Sequence, residues 1–206
     1  MHGLIIKRMK TKFFTSLKEV IDALDDAMKY NWLLSYYECT ALVCPKELIS
    51  DKEFVWLSGE ALLNSLQRNP PFFWCVATAY EKNILEEDVL QYPLPFADGY
   101  DGFWSPEITM QNPLAEIEIV LWDASQVLVF SKSREIVEKY AKEYPDSKDL
   151  AEDNRQGLNE ALKKALETED KKWIKSLSNF FDKYKIERYI EPELYKKMQE
   201  QIKIEQ

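Results

Sequence analysis

The carboxylates between Lys82 and Lys132 are the residues of this chain whose type and spacing could do chemistry. That stretch contains no lysine or arginine and carries nine acids: Glu86, Glu87, Asp88, Asp98, Asp101, Glu107, Glu116, Glu118 and Asp123. A field of one sign steers a cationic partner and repels nucleic acid. Residues 91–107 interleave acids with Tyr92, Phe96, Tyr100, Phe103 and Trp104, and aromatics flanked by charge are the composition of interface hot spots. The expected partner-binding surface is therefore Asp98, Tyr100, Asp101, Phe103, Trp104, Glu116 and Glu118. Glu116 and Glu118 are two apart in a strand-like run, which predicts one shared, solvent-facing side. Plainer readings stand beside this one. The acids can simply keep the protein soluble or blunt a strand edge, and the rings can fold back as a lid over the core.

Two carboxylates can also act as acid and nucleophile in glycoside cleavage. Asp98, Asp101, Glu107 and Asp123 are candidates, but no spacing singles out a pair. Asp98, Asp101 and Glu107 could offer oxygen ligands to calcium, yet Asp98-Gly-Tyr-Asp-Gly lacks the acid ladder and distal glutamate of an EF-hand. Neither a metal site nor a cofactor is expected. The sole histidine is His2, which removes Ser-His-Asp and Cys-His catalysis and the usual zinc sites. Cys39, Cys44 and Cys75 are odd in number, share no spacing, and read as buried free thiols of a reducing compartment. The five glycines build no phosphate-cradling motif. A net charge of −9 and an isoelectric point near 4.9 weigh against nucleic acid as partner. No apolar run approaches the ~20 residues of a membrane span, and Met1–Arg8 is too short for a signal peptide, so a cytoplasmic location is expected.

The elements that must position these residues read as α+β. Apolar residues make up 46% of the chain, enough for a core. Ser16 reads as an N-cap with Glu19 three residues on, and Leu17, Val20, Ile21, Leu24 and Met28 follow at helical spacing, predicting a helix over 16–30. Strands are predicted at 32–39, 54–57 and 72–80, with a short helix opening at Ser58. Residues 115–131 predict an antiparallel hairpin turning at 123–126, and Ser133 is expected to cap a helix to about Tyr144. Between them, 91–107 holds three prolines and two glycines and reads as a loop. Three amphipathic helices follow from Ser147 onward. Charge divides at the same place: residues 1–147 carry the whole excess of −9, and 148–206 are neutral, with 13 bases and 13 acids. The expectation is an antiparallel or mixed sheet of about five strands with helices on one face (1–147), plus a helical C-terminal extension (148–206).

Several stretches resemble a family of uncharacterised bacterial proteins: Trp56-Leu-Ser-Gly-Glu, Tyr92-Pro-Leu-Pro-Phe-Ala-Asp-Gly-Tyr-Asp-Gly-Phe-Trp and Leu114-Ala-Glu-Ile-Glu-Ile-Val-Leu-Trp-Asp-Ala-Ser. The likeness covers roughly residues 30–155 and implies no catalytic residues. Small acidic proteins of this type are similar to immunity proteins, which neutralise secreted toxins. The functional expectation is thus a non-catalytic module that docks an acidic, aromatic surface on a basic protein. The competing expectation is a carboxylate-dependent hydrolase such as a glycosidase.

Overall fold

The computed structural model describes residues 1–7, 9, 15–39 and 44–203. The chain divides into two compact units, Met1–Tyr100 with Thr109–Asp149, and Asp101–Ile108 with Leu150–Gln206.

The first unit is built on a seven-stranded sheet rather than one of about five strands. Its strands are β1 (His2–Ile6), β2 (Tyr30–Cys39), β3 (Phe54–Ser58), β4 (Phe72–Glu81), β5 (Ile117–Trp122), β6 (Gln126–Ser131) and β7 (Lys148–Asp149), in the order β3-β2-β4-β5-β6-β1-β7. Every pairing is antiparallel. The two unexpected strands are β1 and β7. Leu4, Ile5 and Ile6 of β1 are all buried, so the run lacks the alternation that marks a half-exposed strand. Strand β7 has only two residues, both exposed, and pairs with β1 alone.

One face of the sheet carries Trp32 and Leu34, Cys75, Ala77 and Ala79, Ile117, Ile119 and Leu121, Val127 and Val129. Helices α1 (Leu17–Asp22), α2 (Gly59–Ser65) and α4 (Arg134–Glu143) bury Leu17, Val20, Ile21, Leu62, Val137 and Tyr140 against it. Each such fully buried large side chain stabilises the fold by roughly 1.5–3 kcal/mol. The Ser16 cap forms as expected, its hydroxyl accepting from the Glu19 amide at 3.1 Å. The helix nevertheless ends at Asp22. Asp25 takes a left-handed φ of 55°, and residues Ala27–Lys29 form a separate 3₁₀ turn. That turn sits so close to the start of α2 that a Cβ on Gly59 would lie 2.2 Å from the Ala27 carbonyl oxygen. Ser133 occupies the N-cap of α4 but makes no side-chain cap bond.

Strand alternation puts Leu33, Ser35, Val76, Thr78, Tyr80, Glu118, Val120, Leu128 and Phe130 on the opposite face, and all are buried too. Burial on both sides explains why β5 and β6 read as nearly continuous apolar runs. Between Glu81 and Ile117 the chain forms a short helix, α3 (Glu86–Val89).

In the second unit, α5 (Leu150–Glu167), α6 (Lys171–Tyr184) and α7 (Pro192–Lys203) enclose Leu162, Ala165, Ile174, Leu177, Phe181, Ile186, Ile190 and Met198. Asp170 caps α6 by accepting from the Trp173 amide at 3.0 Å, and Lys185 ends it in a left-handed conformation, φ 55°. The Asn154 amide donates to the carbonyls of Phe103 and Ser105 at 2.8 and 2.9 Å, holding Asp101–Ile108 to α5. Among the described residues, no helix is long and apolar enough to cross a membrane.

Candidate functional site

Glu118 organises the covered face of the sheet. It was expected to face solvent with Glu116, and it is instead wholly buried. Only Glu118 lies within β5, on a side of the strand that is covered. Glu116, at the mouth of the strand, stays half-exposed and pairs with Lys132 at 2.9 Å. Burial pushes the Glu118 carboxyl up to about 7, although two hydrogen bonds from Gln111 oppose the shift. The Gln111 backbone amide donates to one carboxyl oxygen at 3.0 Å, and its side-chain amide to the other at 3.3 Å. On the same face, the hydroxyl of Tyr80 is buried without a hydrogen-bond partner among the described residues. Burial raises that phenol above its ordinary value, and the Glu118 charge adds to the shift.

Gln111 also turns outward. Its side-chain amide donates to the Phe96 carbonyl at 2.9 Å, and its side-chain oxygen accepts from the Phe96 amide at 3.0 Å. Ser35 on β2 donates to the Pro95 carbonyl at 2.6 Å, and Asn112 donates to the Val89 carbonyl at 3.3 Å. The chain from α3 to Asp98 is therefore pinned at three points. A pinned segment loses less conformational entropy when a partner binds.

What that segment displays is apolar and acidic together. Leu85, Leu90, Tyr92 and Phe96 are all exposed, Phe96 at 41%, among Glu86, Glu87, Asp88 and Asp98. Leu85, Glu86, Glu87 and Leu90 line a hollow of about 420 Å³. Tyr100 lies edge-on to Phe96, with ring centroids 5.5 Å apart. Asp98 is exposed beside Gly99, whose φ of 83° suits glycine.

A second hollow of about 410 Å³ lies on the same unit, lined by Tyr36, Tyr37, Glu38, Lys52, Glu53 and Trp74 among others. Sequence reasoning did not single out these residues. The signal available was the Tyr36-Tyr37-Glu38 run in a strand already marked by its aromatics. Lys52 joins this hollow to the first, because its ammonium is 3.5 Å from Glu86.

The remaining residues of the expected surface belong to the second unit. Asp101 is held by Lys183, at 2.8 and 2.9 Å, and by the Tyr184 hydroxyl. Burial works against the Asp101 carboxylate, but those bonds outweigh it and hold the group below the usual carboxylate range. Glu107 is matched in the same way by Arg188 and by the Tyr189 hydroxyl at 2.9 Å. Phe103, expected to present its ring to a partner, is buried, and Trp104 is half-buried. The seven expected residues thus divide. Asp98, Tyr100, Glu116 and Glu118 stand in the sheet unit, and Asp101, Phe103 and Trp104 in the helical one. Asp123 forms the β5–β6 turn with Ala124, at φ 46° and 49°. Of the three cysteines, only Cys75 is fully buried, while Cys39 and Cys44 are half-buried. Among the described residues, no three His, Cys, Asp or Glu side chains gather as a metal-binding group.

No protein-family model, curated protein or solved structure matches this chain.

Proposed function

We propose that this chain is a non-catalytic binding module of immunity type, which docks an acidic, apolar surface of its sheet unit on a basic protein and neutralises it. The observation that carries this reading is the pinned segment Leu85–Asp98. It holds two leucines and two aromatic rings exposed among four acids, with no lysine or arginine anywhere between Lys82 and Lys132. Exposed apolar groups rimmed by charge mark interaction surfaces, and rigid aromatics supply contact area at low entropic cost. The hydrolase reading draws less support. Asp101 and Glu107 already hold a cation and a phenol each, and Asp123 is engaged in a hairpin turn.

The test is affinity capture from the native source, followed by kinetics with the recovered protein at about 50 mM and about 300 mM salt. A basic partner is expected, associating faster at low salt. Charge reversal at Glu87 and Asp98 slows association, and Phe96→Ala accelerates dissociation by about 30-fold, the effect of a ~2 kcal/mol hot spot. Recovery of an acidic partner, or turnover of a glycan that stops on removal of a single carboxylate, overturns the reading.

A further inference from the structure

The hollow around Tyr36 is built from a conformation that tyrosine rarely adopts. Tyr36 has a φ of 45°, in the left-handed region where a bulky side chain is an outlier. It falls within the register shift between Ser35 and Glu38, where β2 pairs irregularly with β4. A β-bulge re-aims side chains, and this one gives two neighbouring tyrosines different roles. Tyr37 packs on the core and donates from its hydroxyl to the Leu48 carbonyl at 2.8 Å. Tyr36 stays 40% exposed and stands edge-to-face with Trp74, at 6.2 Å and 84°. Two rings nearly at right angles make two walls of a box, not the flat platform on which a sugar ring stacks. Glu38 and Glu53 also line it, with Tyr37, Ser50 and Lys52. Strain of this kind persists where the surrounding structure holds it, and it clusters at functional sites.

The local field already gathers a cation. The ammonium of Lys52, in the same lining, lies 5.1 Å from the centroid of the Phe54 ring and 3.5 Å from Glu86. Aromatic faces with nearby carboxylates attract ammonium and guanidinium groups. We propose that this hollow seats an arginine side chain of the basic partner, its guanidinium against Tyr36 and Trp74 and its charge matched by Glu38 and Glu53. The proposal rests on the binding-module reading and names the group that the partner inserts. Arginine is favoured over lysine because its planar guanidinium stacks on a ring and pairs with a carboxylate at the same time.

The probe is the peptide acetyl-Gly-Arg-Gly-amide, titrated into the isotope-labelled full chain and followed by nuclear magnetic resonance at the Trp74 indole N–H. The citrulline peptide, which keeps the shape and loses the charge, and the disaccharide maltose serve as controls. A saturable shift of Trp74 with the arginine peptide, at least tenfold weaker with citrulline, is expected. Tyr36→Gly removes the ring where the backbone favours glycine, so it keeps the fold and abolishes the shift. Lys52→Gln removes a like charge from the lining and tightens binding about threefold. An unmoved Trp74 indole, an equal response to citrulline, or a response to maltose overturns the proposal. The wider reading fails separately. If a basic partner binds the Tyr36→Gly chain as tightly as the native one, the arginine seat is wrong and the binding module stands. If Trp74 takes the arginine peptide but the captured partner is acidic, the seat stands and the module reading is wrong.

Discussion

Replacing Glu118 with glutamine tests the buried end of the scaffold that holds the Phe96 segment. The wild-type carboxyl titrates at about 7 in the fold, against 4.5 for an ordinary glutamate. Between those values the folded chain keeps a proton that the unfolded chain has released. Stability from this group is therefore fully present below about pH 4.5 and is lost as pH rises through 7. A difference of about 2.5 pH units, at ~1.4 kcal/mol each, makes the loss about 3 kcal/mol. In Glu118→Gln the side-chain oxygen keeps one of the two hydrogen bonds from Gln111, and the new amide nitrogen, which cannot accept, gives up the other. The lost bond costs about 1 kcal/mol. At pH 8 the variant is thus about 2 kcal/mol more stable than the wild type, and at pH 5 it is equal or slightly less stable. The assay is urea unfolding of both chains at half-unit steps from pH 4.5 to 8.5. A difference between the two that stays constant across this range refutes the reasoning.

Gln111→Ala removes the side chain that joins Glu118 to Phe96. It destabilises the sheet unit by about 2 kcal/mol and speeds hydrogen exchange at the Phe96 amide, while the fold's other amides in β4 keep their protection. Gly59→Ala forces a methyl group toward a backbone carbonyl that cannot yield, and thermal unfolding should report a loss of at least ~2 kcal/mol. Lys185→Gly relieves the left-handed C-cap of α6 and raises stability by about 1 kcal/mol, read as a higher unfolding midpoint with unchanged helical circular dichroism.

Strands β2, β4, β5 and β6 were legible because their aromatic and β-branched runs are bounded by turn residues. The three C-terminal helices were legible because their apolar positions keep a period of 3.6. The predicted 16–30 helix overran because Leu24 and Met28 continue the stripe that Leu17, Val20 and Ile21 begin. The left-handed turn at Asp25 interrupts it, and Met28 ends exposed. At the candidate site the acidic window was visible as composition, but its electrostatics were not. The cations that meet Asp101 and Glu107 are Lys183 and Arg188, some eighty residues further along. Periodicity places Glu118 on a face of its strand, but whether that face is covered is not written in the strand itself, and Glu118 is wholly buried. The bulge at Tyr36 leaves no trace in residue type, since tyrosine is an ordinary strand former and an unusual occupant of a left-handed position.

The position of β1 also bears on the order of events during synthesis. His2–Ile6 leave the ribosome before the other strands of the sheet, but their neighbours in it are β6, with His2 opposite Ser131, and β7. Strands β2 to β4 can pair as they emerge, whereas β1, apolar and made before them, must wait until β6 has been made. Non-local pairing of this kind slows folding and lengthens the exposure of sticky segments. Of the strands in this sheet, β1 is therefore the one most open to chaperones and to misassociation during synthesis.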